Sequence, residues 1–314
     1  MIEVKENIGL APYTIYKIGG AARYFAEAKN VDDLREALAY AAEKKTPFFI
    51  LGAGSNVLIA DKGYEGMIIR MTGGSVLADG ERVIADAGVM MARVVTEAAR
   101  AGLAGFEWGI GVPGTIGGSV RGNAGCFGGT MKDVIESVEI ADVGNTAKHR
   151  MFDSMACGFG YRDSVFKRHP EWIIVSVTLR LRKGHAAAIQ ERIRAITAER
   201  MTKQAIGTKS CGCIFKNISW TREDIKRDAL IERFPELAQF SDRPSIPASF
   251  LIDAAGMKGS RMGDAVVSDK HANFFLNKSA ATADDVVRLV AAAKDAVMKK
   301  YGLALKEEIQ RVGF

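Results

Sequence analysis

Gly109-Ile-Gly-Val-Pro-Gly-Thr-Ile-Gly-Gly-Ser-Val-Arg-Gly-Asn-Ala-Gly-Cys-Phe-Gly-Gly129 decides how this chain is read. The stretch from Gly102 to Gly129 holds 11 of the 33 glycines, yet Val, Ile, Trp and Phe lie between them instead of Ser, Gln or Glu. A flexible linker would be polar and Gly/Ser-rich. Here the apolar residues can anchor a core, while the glycines let backbone approach something closely or take φ > 0 where a side chain would clash. Backbone N–H groups left pointing inward hold phosphates and flat heterocycles without bulky side chains. The segment reads as one wall of a nucleotide or cofactor site. Glycine content alone also leaves open a run of tight turns in an all-β region.

A second glycine loop lies upstream. Pro47-Phe-Phe-Ile-Leu51 reads as a buried strand and runs into Gly52-Ala-Gly-Ser-Asn-Val-Leu58. A Rossmann phosphate loop would need glycine where Val57 stands, and a helix opening there. That fingerprint fails. What remains suits a diphosphate held by backbone N–H groups and the Ser55 and Asn56 side chains, in a fold other than Rossmann.

Around these loops the pattern is mixed α+β in two domains. Asn30 reads as an N-cap, followed by Asp32 and Asp33 in the first turn and Val31, Leu34, Leu38 and Ala41 at helical spacing. Strands are expected at 67–70, 82–87, near 136–142 and at 172–182. In the last, Val175, Val177, Leu179 and Leu181 alternate with polar residues. An amphipathic helix over 89–101 closes at Gly102. The pattern changes near Gly184: a charged helix over 185–201, a loop over 203–208, then a second domain. Thr282-x-x-Asp285 is a capping box for a helix ending before Gly302, and Leu305 to Val312 reads as a terminal strand.

Bulk properties narrow the function. At 314 residues, 48% hydrophobic and 25% charged, the chain has the composition of an ordinary globular protein. Its longest apolar runs are strand-sized, far below the ~20 residues that span a bilayer, so no membrane insertion is expected. The opening Met1-Ile-Glu-Val-Lys-Glu carries acids and no apolar h-region, so a signal peptide is not expected either. Four cysteines without a C-x-x-C pair and four scattered histidines point to a reducing, cytoplasmic setting and no structural metal. The net charge of +6 is spread without a basic tract, which argues against nucleic-acid binding. It is either a solvated surface or an attraction for anionic small molecules.

Three places could carry chemistry. In Tyr161-Arg-Asp-Ser-Val-Phe-Lys167, Arg162 is either part of a surface turn or a fixed guanidinium suited to bidentate contact with a carboxylate. In Ser210-Cys-Gly-Cys-Ile-Phe-Lys-Asn217, Cys213 is either a small core residue or an acid-type side chain beside a glycine. Glu308 is either an edge-strand carboxylate in water or a site acid.

Taken in order, the segments resemble the UDP-N-acetylenolpyruvoylglucosamine reductases (the MurB family) over nearly the whole chain, about 13–313. The resemblance rests on Ile18-Gly-Gly20, Leu51-Gly-x-Gly-Ser-Asn-Val-Leu58, Gly111-Val-Pro-Gly-Thr-Ile-Gly-Gly118 and Asn123-Ala-Gly125. It continues through Phe159-Gly-Tyr-Arg-Asp-Ser-Val-Phe-Lys167, Lys203-Gln204, Gly212-x-x-Phe-Lys-Asn217, Leu251-Ile-Asp253, Lys258-Gly259, Lys270-His271 and Leu305-x-x-Glu308-Ile309. It implies an α+β chain: an FAD-binding domain of the PCMH, or vanillyl-alcohol-oxidase, type over 1–183, and a smaller α+β substrate-binding domain over 200–295. The first has two subdomains, about 1–70 and 71–183, joined by the C-terminal strand 303–314.

By the same resemblance the protein is expected to be a cytoplasmic, monomeric FAD-dependent oxidoreductase of peptidoglycan precursor synthesis. NADPH reduces non-covalent FAD, and flavin N5 passes hydride to the vinyl carbon of the enolpyruvyl sugar nucleotide. Gly52, Gly54, Ser55, Asn56, Val57, Gly114, Thr115, Gly118, Asn123 and Gly125 match the cofactor positions. Arg162 and Glu308 match the residues that meet the substrate carboxylate as charge develops. Tyr161, Lys203, Asn217 and His271 match substrate positions, with Arg261 as an addition. Cys213 stands where the family usually has serine. A thiol of pKa about 8.5 is a stronger acid than an alcohol and competent as a proton donor. The terminal Glu-Val-Arg becomes Glu308-Ile-Gln310, and the short 183–203 region matches the subgroup without a tyrosine-bearing loop. Two other classes keep part of the pattern: another flavin oxidase of this cofactor fold, with no reason to keep Lys203, Asn217 and Glu308, and a non-catalytic nucleotide-binding regulator, which would lose Arg162 or Glu308.

Overall fold

In a computed structural model, residues 2–203 and 207–314 are described, apart from the side chains of 145–148 and 203. The chain divides into two units: Met1–Gly9, Ala21–Ser55 and Tyr64–Thr202 in the first, and Leu10–Gly20, Asn56–Gly63 and Lys203–Phe314 in the second.

The first unit has two sheets. One runs Val4–Gly9, Ala21–Ala28, Tyr64–Met71, Phe48–Leu51, antiparallel at its first pair and parallel thereafter. Helix α1 (Val31–Glu43) links two of its strands. Asn30 caps it by accepting the Asp33 N–H at 2.9 Å, and Leu34, Ala37, Leu38 and Ala41 are buried in the core that includes Met67 and Ile69. The other sheet is antiparallel, in the order Asn145–Asp153, Ile135–Asp142, Trp172–Arg180, Arg82–Asp86, Val76–Asp79. The alternation read from 172–182 holds: Val175, Val177, Leu179 and Leu181 are buried, and Arg180 and Arg182 are exposed. Helix α2 (Met91–Arg100) buries Val94, Val95 and Ala98 in the same core, and Gly102 follows it at φ +68°.

The glycine segment wraps this second core. It forms a 3-10 turn at Glu107–Gly109, helix α3 (Ile116–Arg121) and a small hairpin of Gly125–Cys126 with Gly129–Thr130. Trp108, Ile116, Val120 and Met131 point inward. The segment is built of turns, yet every turn is anchored by an apolar residue, which a linker lacks. Two further helices complete the unit, the short α4 (Val165–Arg168) and α5 (Ala186–Lys203).

Beyond the short α6 (Arg227–Arg233), the second unit centres on α8 (Ala283–Tyr301). Thr282 and Asp285 form its capping box, and Gly302 ends it in the left-handed conformation at φ 70°. Val286, Leu289, Val290, Ala293 and Val297 pack against the Ala265–Val267 and Phe275–Asn277 strands and against α7 (Ala248–Ala254).

Two expectations change. The terminal strand is only Gln310–Val312, not Leu305 to Val312. Upstream of it the chain makes separate bonds to the 214–216 segment: Glu308 N–H donates to Ile214 O at 2.8 Å and Lys216 N–H to Lys306 O at 2.9 Å. It then switches partner, and 310–312 pairs in parallel with Val57–Ile59. This switch keeps a single ladder from forming. It also groups 56–63 and the C-terminus with the second unit, because Leu58, Leu305 and Ile309 share a core with α8. The expectation had placed 56–63 in the 1–70 subdomain.

Candidate active site

In the first unit the loop after Phe48–Leu51 meets the start of α3. Gly114 sits at φ +129°, and a Cβ there would lie 2.8 Å from Ser55 Oγ; a Cβ on Gly52 would lie 2.6 Å from Thr115 Oγ1. Glycine at both positions lets the two turns touch backbone to hydroxyl. Gly54 also has positive φ. Thr115 accepts the Gly118 N–H at 3.3 Å, and Gly114 O accepts the Met91 N–H at 2.9 Å, which fixes the junction to α3 and α2. Gly52, Gly54, Ser55, Gly114, Thr115 and Gly118 are thereby brought together.

The wall beyond it is acid-free and basic. Neither Asp nor Glu occurs in 51–60 or 108–132. Arg200, on α5, is 9% exposed and lies against Gly111, where a Cβ would come within 3.3 Å of its Cδ and Nε. Its Nη1 donates to Cys126 Sγ at 3.5 Å, its Cζ is 5.7 Å from the Phe127 ring centre, and its buried Nε has no hydrogen-bond partner among the described residues. Burial pushes the Cys126 thiol pKa up, with Arg200 and Arg162 opposing it.

Asn123, buried and at φ 43°, ties this wall to the Arg162 loop. Its Nδ2 donates to Gly160 O at 2.8 Å and its Oδ1 accepts the Lys132 N–H at 3.0 Å. Gly160 and Asp163 exchange backbone hydrogen bonds across a tight turn, and Arg162 within it takes φ 54°. A non-glycine residue held there is strained. The surroundings hold it: Arg162 Nη2 donates to Gly125 O at 3.0 Å, Lys167 Nζ donates to Arg162 O at 2.7 Å, and the buried Ser164 hydroxyl donates to Arg121 O at 2.7 Å. Tyr161 is exposed beside it, its ring centre 5.5 Å from Arg162 Cζ.

In the second unit Cys213 and Glu308 come side by side. Cys213 is half-buried and bridges to Phe274; its neighbour Ile214 accepts the Glu308 N–H. Cys211 is buried in the adjoining core, and its thiol pKa is pushed up by burial first, and then by the charges of Cys213 and Glu308. Asn56 anchors the acid's backbone, its Nδ2 donating to Glu308 O at 3.2 Å and its carbonyl accepting the Gln310 N–H at 3.0 Å. Val57 continues into the parallel pair.

The remaining expected residues are dispersed. Asn217 Oδ1 accepts the Ala248 N–H at 3.1 Å at the start of α7. His271 lines a cavity of about 240 Å³ with Lys258, Lys270, Asp253, Phe240 and Phe250; its Nδ1 is buried without a partner among the described residues, and burial lowers its pKa. Arg261 is exposed, 3.8 Å from Asp264. Lys203 ends α5, but its side chain lies outside the described residues, as does Gln204. Among the described residues no group of three His, Cys, Asp or Glu could hold a metal ion, and no helix is long and apolar enough to cross a membrane.

Two residues escaped the sequence reading. Arg200 was hidden in a helix read only as charged. Asn273, 2% exposed, fixes the Cys213 segment by pairing with both backbone groups of Phe215, at 2.9 and 2.8 Å; its signal was its position two residues after His271.

Two family models match separate parts of the chain. Residues 22–148 match the FAD binding domain family, and 204–312 match the UDP-N-acetylenolpyruvoylglucosamine reductase C-terminal domain. A UDP-N-acetylenolpyruvoylglucosamine reductase of Synechococcus sp. (strain JA-3-3Ab) is 34% identical over 99% of this chain and 91% of its own length. One from Solibacter usitatus is 33% identical over 99% and 97%. The crystal structure of the Thermus caldophilus enzyme superposes with a TM-score of 0.77 at 31% identity, covering 99% of this chain and all of the other. Full-length identity, a matching fold and both domain families place the chain in the family of UDP-N-acetylenolpyruvoylglucosamine reductases, FAD-dependent oxidoreductases of peptidoglycan synthesis.

Proposed function

We propose that the chain reduces UDP-N-acetylglucosamine enolpyruvate to UDP-N-acetylmuramate with NADPH, in the cytoplasm and as a monomer, using non-covalently bound FAD. The observation that carries the reading is the placement of Cys213 and Glu308 on adjacent backbone, joined by the Glu308 N–H to Ile214 O bond.

The residues of the first unit fit the cofactor. The glycine-tight junction of 52–55 with 114–118 offers hydroxyls and amides, and the wall around it has no carboxylate to repel a diphosphate. Asn123 and Gly125 extend that surface, and Asn56 and Val57 continue its loop. When bound, FAD supplies the hydride that goes to the terminal vinyl carbon. The first unit (with 56–57) is accordingly assigned to the cofactor and the second to substrate.

Hydride addition leaves an electron pair on the carbon that bears the carboxylate, delocalised into it. Arg162, held in its strained turn, meets that carboxylate as a permanent cation and lowers the cost of the developing charge. Glu308 is assigned to the same substrate group as a carboxylic acid, the form that the like charge of the substrate carboxylate favours. Cys213 delivers the proton that forms the new C–H bond, and the resulting thiolate is reprotonated from water. Tyr161, Lys203, Asn217, Arg261 and His271 are assigned to the sugar nucleotide, with His271 neutral in its buried setting.

Substitution of Cys213 tests the assignment. Cys213→Ser should keep substantial turnover, because the hydroxyl can take the thiol's place with little change in size. Cys213→Ala should still bind substrate but slow flavin reoxidation by about 10²–10⁴-fold, as loss of a positioned acid does. Full activity in Cys213→Ala would remove the donor role.

A further inference from the structure

A cleft of about 500 Å³ opens in the first unit, and none of the residues assigned above lines it. Its floor is apolar: Trp108, Val134, Leu181 and Ile196 are buried there, and Phe127 is half-buried. The volume falls in the range of small-molecule sites, about 300–1,000 Å³, and an apolar floor with few convergent polar groups is their usual lining.

The charges at its rim are unequally satisfied. Glu107 accepts the Gly105 N–H with both oxygens, at 3.1 and 3.0 Å, and Asp133 accepts the Thr130 N–H and hydroxyl, both at 2.8 Å. Arg180 is paired with Glu81 at 3.1 Å and Glu136 at 3.7 Å. Arg182 and Arg192 also line the cleft, both exposed, and neither has a hydrogen-bond or ion-pair partner among the described residues. The backbone bonds orient the two acids without cancelling their charge, so the lining carries two carboxylates and three guanidiniums, of which Arg182 and Arg192 are the two with no acidic partner among the described residues.

We propose that this cleft is a second ligand site, for a nucleoside phosphate. Arg182 and Arg192 take the phosphates, which guanidinium forks suit. The apolar floor takes a flat base. The outer lone pairs of the Glu107 and Asp133 carboxylates accept sugar hydroxyls, since a carboxylate has more acceptor positions than the backbone bonds use. Chloride or phosphate alone would leave the floor empty, and a purely apolar ligand would leave both cations unused. The cleft also backs onto the glycine wall. Gly129 has no room for a Cβ because the Trp108 ring would lie 2.3 Å from it, and Trp108 O accepts the Cys126 thiol at 3.2 Å.

Calorimetric titration of the FAD-loaded enzyme with ADP tests the site, in wild type and in the double variant R182Q/R192Q, with inorganic phosphate and adenosine as separate arms. Both substitutions are at exposed positions outside the catalytic and cofactor sites, so flavin content, turnover and the KM values of both substrates should be unchanged. ADP should bind wild type at least tenfold more tightly than either fragment, and the double variant should lose at least tenfold. A charge-reversed R182E/R192E pair should lose more. Equal ADP affinity in wild type and R182Q/R192Q would place all ADP in the catalytic cleft and overturn the proposal. So would inorganic phosphate binding as tightly as ADP, or no ADP binding to wild type.

Discussion

Replacing Gly114 by alanine tests the cofactor seat most severely. At φ +129° the backbone lies outside the regions open to L-residues, a strain of about 1–3 kcal/mol. The new Cβ would also start 2.8 Å from Ser55 Oγ, about half an ångström inside ordinary carbon–oxygen contact. The serine hydroxyl must turn away, so the variant should lose about 3 kcal/mol of stability. For a domain of roughly 150–250 residues that is about 6–12 °C in Tm. Displacing one hydroxyl from a phosphate costs about 1.5–3 kcal/mol of binding, or about 10–100-fold in FAD affinity. Ser55→Ala alone should weaken FAD to a similar degree with little loss of stability. The double variant should regain part of the stability, because the clash is gone, but none of the affinity. Urea unfolding and fluorescence titration of apoenzyme with FAD read the two quantities separately. A folded Gly114→Ala protein that binds FAD within twofold of wild type would refute the assignment of this junction to the diphosphate.

Two further outcomes follow from the site. Glu308→Gln should leave NADPH-driven bleaching of the flavin nearly intact while slowing reoxidation by substrate about 10²–10⁴-fold; equal slowing of both half-reactions, in stopped flow, would make Glu308 a structural residue. His271 has its pKa lowered, by burial first, so the unfolded chain takes up its proton before the folded one does. That contribution to stability is present above the unfolded value of about 6.5 and is lost as pH falls through the folded value. His271→Asn should flatten the fall in urea-unfolding free energy below that pH, and an unchanged slope would show that His271 does not titrate in this window.

Much of the fold was legible because its signals are local. The Asn30 cap, the Thr282–Asp285 box, the Gly302 stop and the alternation from Val175 to Leu181 each depend on neighbours in sequence, and each is found where the pattern put it. What escaped depends on distant partners. The Val4–Gly9 strand is largely exposed and the Ala21–Ala28 strand breaks its alternation at Tyr24–Ala26, and neither was read as a strand. The switch of the C-terminus from the 214–216 segment to Val57–Ile59 is decided by tertiary hydrogen bonds that no local pattern records. The candidate site divides in the same way. Glycine spacing pointed to the 52–55 and 114–118 turns, since positive φ and close approach leave only glycine. Arg200 looked like any helix-surface arginine, and only its burial against Gly111 and Cys126 distinguishes it.

The central claim, that this chain moves a hydride from NADPH through FAD to an enolpyruvyl sugar nucleotide, is tested most directly by one anaerobic spectrum followed through both half-reactions. The purified protein should show oxidised-flavin absorbance, lose it on addition of one equivalent of NADPH, and regain it on addition of UDP-N-acetylglucosamine enolpyruvate with equimolar formation of UDP-N-acetylmuramate. A protein that stays colourless after FAD addition, or whose reduced flavin is not reoxidised by that substrate, would contradict the account.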